Sequence, residues 1–186
     1  FGLGQDYSLY FDGENDGVQI DQLTIPNSDD DISIELWVKA NSSEGTIFVK
    51  GEGNHFIIKI VQDGIVQFGV WSTAFSDSTL RWVVSTYLID FAKWYHIYCE
   101  FDNLNNEIRL FINGVLNNIT EIPNQNLGVD VCQHSAIGEY CSSGTNFNGN
   151  ISFLQVMNEL KYSATFVPDL IPSPVNSTIA YYNFNS

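Results

Sequence analysis

The chain has 186 residues, 44% of them hydrophobic and 14% aromatic, which suits one globular domain with a sizeable core and excludes a disordered chain. Seven Lys and Arg stand against 22 Asp and Glu, a formal charge of −15; nucleic acid and anionic membranes are held by basic surfaces, so neither is an expected partner. No apolar run reaches the roughly 18 residues of a membrane-crossing helix, and the acidity fits a protein kept soluble in an extracellular or salty setting.

Taken in order, residues 9–11 and 18–20 read as short strands around the loop Asp12-Gly-Glu14-Asn-Asp16-Gly17, and a polar turn at 29–31 leads into a strand over 32–39. Segments 46–50, 55–61, 65–72 and 80–86 follow at hairpin spacing, with turn chemistry at 51–54 and at Asp63-Gly64. The clearest element is 94–115. Its first arm places Tyr95, Ile97, Cys99 and Phe101 on one face and Trp94, His96, Tyr98 and Glu100 on the other; its second arm sets Ile108, Leu110 and Ile112 against Glu107, Arg109 and Asn113. That two-residue period is a β-hairpin. Asn113-Gly114, both tolerant of positive φ, then turns the chain into a third strand over 115–119. Residues 124–130 read as loop, 135–140 and 150–157 as strands, the prolines at 168, 172 and 174 as an irregular connection, and 177–184 as a last strand. No stretch carries a 3.6-residue period and no repeat of 20–50 residues occurs, which predicts an all-β, antiparallel two-sheet sandwich of jelly-roll type, with residues 1–186 as a single domain.

The run WYHIYCEFD followed by NEIRLFINGV resembles the W-x-H and N-G signature of laminin-G-like domains in the concanavalin A-like lectin/glucanase superfamily. SLYFDGENDGVQI (8–20) resembles the opening strand pair of that fold, ISIELWVK (32–39) the strand after it, and AIGEY with FNGNISFLQV (136–156) the closing strands. KYSATFVP (161–168) with STIAYYNF (177–184) resembles the Y-x-x-x-F-x-P ending of bacterial and phage versions. The resemblance spans the chain and implies an extracellular module of a larger protein, attached to a carbohydrate-active enzyme or built into an adhesin or tail fibre. Fold alone does not set function, since this one hosts lectins, adhesion modules and hydrolases.

Hydrolases of the superfamily carry closely spaced carboxylates on one strand, because acid and nucleophile must straddle one glycosidic bond. Here Glu35 and Glu100 stand alone in their strands and no G-x-S-x-G or zinc-ligand spacing occurs, so no catalytic residue is expected. His96 reads as a hydrogen-bonded structural side chain. The loop at 12–17 imitates the first half of an EF-hand, with oxygens at alternate positions and glycine sixth, but Leu23 stands at the twelfth position. It is either an ordinary turn in which Asp12 and Asn15 bond their own backbone or a structural calcium site at Asp12 and Asp16, as the resemblance implies. Relatives often carry Asp where this chain has Ser152. Cys132 and Cys141 flank what reads as a straight strand, too long for a disulfide unless it bends back, and Cys99 reads as a buried small hydrophobe. The four sequons at Asn41, Asn118, Asn150 and Asn176 are a number that a chain so rich in Asn, Ser and Thr reaches by chance.

The aromatic residues point to a ligand. If 65–72 and 80–86 form a hairpin closed by 73–79, pairing Val70 with Val83 on the core face also pairs Trp71 with Trp82 on the other. Flat indoles beside polar donors suit a pyranose, which has an apolar C–H face and a rim of hydroxyls. Either one or both tryptophans pack the core under a loop, or Trp71 and Trp82, helped by Asp77 and Arg81, form the sugar-contacting patch, with a glycan or polysaccharide the expected partner. The competing expectation is an adhesion or architectural module packing on neighbouring domains of its parent protein.

Overall fold

The computed structural model describes residues 7–21, 23, 30–51, 56–71, 81–122, 134–140 and 145–184. Among them the chain forms β1 (Leu9–Asp12), β2 (Val18–Asp21), β3 (Ile32–Ala40), β4 (Gly45–Lys50), β5 (Phe56–Val61), β6 (Ile65–Val70), β7 (Arg81–Val84), β8 (Trp94–Asp102), β9 (Glu107–Ile112), β10 (Val115–Glu121), β11 (His134–Ile137), β12 (Asn148–Met157) and β13 (Thr178–Asn183), and no helix. Two antiparallel sheets result. The first runs β1-β12-β3-β8-β9-β10, with β13 also paired to β12; the second runs β2-β11-β4-β5-β6-β7.

Alternation along each strand builds the core between them. Ile34, Leu36 and Val38 of β3, Ile97, Cys99 and Phe101 of β8 and Ile108, Leu110 and Ile112 of β9 meet Phe48, Phe56, Ile58, Phe68 and Val70 of the second sheet. The free thiol of Cys99 is buried among them, as expected. The predicted central hairpin is β8 and β9, paired from Ile97↔Ile112 to Asp102↔Glu107. Its loop is closed by Asp102, whose Oδ1 accepts the Asn105 amide at 2.9 Å. Asn113 and Gly114 both hold positive φ, 53° and 76°, which is the turn into β10. Gly114 is needed twice, since a Cβ there would also collide with the Phe166 carbonyl.

Two features depart from the sequence reading. The opening strands do not pair with each other: β1 joins the first sheet against β12 and β2 joins the second against β11, so the 12–17 loop carries the chain from one sheet to the other. The outer face of the first sheet is also not a solvated polar face. Glu35, His96, Tyr98 and Glu100, all pointing away from the core, are fully buried, because the segment from Glu159 to Pro172 lies across them. The expected loop at 124–130 and the pair Cys132 and Cys141 lie outside the described residues.

Candidate functional site

The strap over the first sheet is pinned at intervals. Ser33 Oγ donates to the Glu159 carbonyl at 2.6 Å and Trp37 Nε1 to the Asp169 carbonyl at 2.9 Å, while the Phe166 amide donates to the Gly114 carbonyl at 2.9 Å. Tyr162 and Phe166 stack on each other and pack on Tyr98, Phe111 and Met157. Beneath them Glu35 collects three donors: His96 Nε2 at 3.0 Å and Tyr162 Oη at 3.0 Å on Oε1, and Lys161 Nζ at 2.7 Å on Oε2. Burial pushes the Glu35 carboxyl up, but the His96 and Lys161 contacts together hold it below its ordinary value. Burial, only partly offset by Glu35, holds His96 below its own. The stable arrangement is therefore a carboxylate paired with the Lys161 ammonium and accepting from neutral imidazole, since an ionised carboxylate can only accept. That bears out a structural, hydrogen-bonded His96. Glu100 and Asp102, the other buried carboxyls of this face, are bonded to Arg109 at 2.8 and 2.9 Å, and Arg109 also reaches Glu107. Glu35 is thus tied to the strap through Lys161 and Tyr162, while Glu100 is tied to Arg109 within the sheet.

The 12–17 loop is a self-bonded turn. Asp12 Oδ1 accepts the amides of Glu14 and Asn15 at 2.7 and 3.4 Å, and Asp16 Oδ2 accepts the amide of Asp12 at 3.0 Å. Asn146 and Asn148 reach in from the far end of the chain, their Nδ2 atoms donating to the Glu14 and Asp12 carbonyls. A hollow of about 430 Å³ lies beside the turn, lined by Asp12, Glu14, Ser42, Glu44, Thr145, Asn146 and Asn148. Calcium takes six to eight oxygens. Among the described residues no three of His, Cys, Asp and Glu are grouped as a metal site, and Asp12 and Asp16 each have one oxygen outside the turn's hydrogen bonds. A cation here would draw most of its shell from main-chain oxygens and water.

The tryptophan patch takes a different form from the expected one. The observed register pairs Phe68 with Val83, Gly69 with Trp82 and Val70 with Arg81, displaced by two residues from the expected pairing of Val70 with Val83. A shift of two keeps every side chain on its face, so Trp82 does point outward, but its partner across the ladder is Gly69 and not Trp71. Trp71 lies one residue beyond β6 and is half-buried. Arg81 is another member of the expected group. It sits opposite the core residue Val70, so strand alternation turns it to the side away from Trp82. Asp77 lies outside the described residues. What lies under Trp82 instead is Gly69 and the Ile57 methyl beside it, at one end of an outer-face cluster that runs on through Val49 to Ala136, with the Lys59 ammonium 4.4 Å from the ring centroid. Sequence reasoning missed Gly69 and Lys59. Only Gly69 carried a signal, since a glycine inside a strand marks a place where something approaches closely.

Two antiparallel sheets folded over one core, with a half-exposed indole on an outer face, describe a jelly roll. The chain belongs to the concanavalin A-like lectin/glucanase superfamily: the laminin-G-like family model of that superfamily matches residues 12–163. Solved structures share the fold at low identity. The SAP-like pentraxin of Limulus polyphemus is 18% identical, with 85% of this chain and 79% of that one covered at a TM-score of 0.64. The CBM40 of the Ruminococcus gnavus IT-sialidase, bound to α2,3-sialyllactose, is 16% identical, with 84% and 92% covered at 0.66. Mouse laminin α1 domains LG4-5 are 13% identical, with 82% and 42% covered at 0.63. No curated protein matches in sequence.

Proposed function

We propose that this protein is an extracellular, non-catalytic carbohydrate-binding module, lectin-like in its action, carried within a larger protein. The observation that supports it is the Trp82 indole, half-buried on the outer face of the second sheet and seated on Gly69 and Ile57. Such a ring offers a flat apolar surface to the C–H face of a sugar, and Gln67, on the same face two residues from Gly69, carries an amide for its hydroxyls. Lys59 lies over the same ring, and a cation–π contact at an accessible site is worth about 0.5–1 kcal/mol. Stacking of bases on protein aromatics is worth about 1–3 kcal/mol each. On that scale a sugar gains more from the indole than Lys59 loses by moving aside. The kinship in fold with a module that binds sialyllactose agrees with this reading.

A second reading, an adhesion or architectural module that binds protein, draws on the edge strand β10, where Val115, Leu116 and Ile119 are exposed. A glycan array probed with and without calcium separates the two. Binding to saccharides that is lost in Trp82→Ala supports the first. A blank array, with a protein partner competed by substitutions on β10, supports the second.

A further inference from the structure

We propose, building on the carbohydrate-binding reading, that the Trp82 patch takes an acidic saccharide, with the sugar carboxylate against the Lys59 ammonium and the ring face on the indole. The argument starts from how sparsely cations are spread: seven Lys and Arg serve a chain with 22 Asp and Glu. Where acids outnumber bases so heavily, cations are expected to be claimed. Arg109 is bound by three carboxylates, Lys161 by Glu35 and Lys93 by Asp90. Lys59 makes no ion pair with any described residue. Its ladder neighbours are Thr46 on β4 and Gln67 on β6, both neutral, and its ammonium is directed over an indole. A cation on an aromatic ring, in the middle of a sheet face and between neutral ladder neighbours, is a preformed half of a charge-assisted hydrogen bond whose other half is supplied by the ligand.

A neutral sugar has only the ring to gain and must compete with Lys59 for it. An acidic sugar keeps the ammonium at the patch and pairs with it. The overall charge of −15 repels a polyanion at long range, but screening at physiological ionic strength confines that field to about 8 Å, so a short acidic oligosaccharide is favoured over a long polyanion. Lys39 over Trp94, at 5.4 Å from the ring centroid, is the natural control, because it lies on the other sheet and changing it alters net charge equally.

The test is titration calorimetry with uronate oligosaccharides (galacturonate, glucuronate and mannuronate), each as the free acid and as its methyl ester, which keeps the ring and removes the charge. Wild type is expected to prefer the acid of at least one pair by roughly ten- to a hundredfold, the span of a hydrogen bond to a charged group. Lys59→Gln should lose that preference at unchanged melting temperature, and Lys39→Gln should keep it. Equal binding of acid and ester, or a preference that survives in Lys59→Gln, overturns the acidic assignment while leaving carbohydrate binding in place. No binding to any pair also overturns it, and neutral saccharides on the array then show whether the broader reading falls with it.

Discussion

The Trp82 indole fills the space that Gly69 leaves by having no side chain: a Cβ at Gly69 would stand 2.5 Å from Cζ3 of the ring and 2.9 Å from the Ile57 methyl. No real side chain fits there without lifting the ring, and overpacking of this kind costs about 1–3 kcal/mol. Gly69→Ala is therefore expected to fold, to melt a few degrees lower, and to change the tryptophan fluorescence because the indole no longer lies flat.

Trp82→Ala tests the platform itself. Because the ring is half-buried, its loss should cost clearly less than the about 3–5 kcal/mol of a truncated core aromatic, while binding to any glycan found on the array falls roughly five- to 150-fold, the equivalent of about 1–3 kcal/mol. Melting temperature and affinity measured on the same variant decide it. A variant that unfolds shows a packing residue and ends the platform argument. Trp71→Ala is expected to weaken binding less, since Trp71 is not the cross-strand partner.

Acidification should loosen the strap in a defined order. Burial holds His96 below its ordinary 6.5 against the pull of Glu35, so the unfolded chain takes up this proton first and stability declines as pH falls below 6.5. Glu35 is held below its ordinary 4.5 by His96 and Lys161 despite burial; its contribution is present above 4.5 and is lost as pH falls through its lower folded value. Glu100 opposes them. Burial raises it, so its contribution is present below 4.5 and fades as pH rises through its folded value. His96→Gln keeps an N–H for Glu35 but cannot take a proton. The expected result in urea midpoints is a shallower decline between pH 6.5 and 5 than in wild type, with the loss below 4.5 unchanged.

Removing the carboxylate is more severe. Glu35→Ala leaves the Lys161 ammonium, 16% exposed, without its partner, and breaking such a pair costs about 3–5 kcal/mol. At roughly 2–4 °C per kcal/mol for a chain of this size, the melting temperature should fall by about 6–20 °C. A fall of only a degree or two would mean that the strap is held by its aromatic stack alone.

Calcium at Asp12 and Asp16 stays a proposal that one experiment decides. A site of about 10⁻⁴ M, typical of extracellular modules, would add about 1.4 kcal/mol in 1 mM calcium, or roughly 3–6 °C. The expected rise over excess chelator should vanish in Asp16→Asn, and coincident curves would reject the site.

Most of the fold was legible because alternation is a local signal. Ile97, Cys99 and Phe101 must share a face whatever they pack against, and Asn113-Gly114 turns wherever it stands. The register of β6 on β7 was not, because the length and geometry of the connecting turn set it. Choosing between Val70 and Phe68 as the partner of Val83 needs the fit of Trp82 on Gly69, which no periodicity encodes. Arg81 adjoins Trp82 in one strand, so alternation alone sets their Cβ atoms on opposite faces. The covered face of the first sheet was hidden for another reason. Glu35, His96 and Lys161 are far apart in sequence, and their meeting depends on a strap whose only regular feature is the spacing of Tyr162 and Phe166.

The strand order ties the two ends of the chain together. β1 has only β12 as a neighbour, β2 only β11, and β12 and β11 also close the free edges of β3 and β4. During synthesis, then, the opening strands β1 and β2 have nothing to pair with until most of the polypeptide has left the ribosome. Such long-range closure folds slowly and leaves strand edges open to other chains meanwhile. A fragment ending before Asn148 would carry those edges permanently, so this sequence is better expressed whole, and fusions are better placed at its termini than within it.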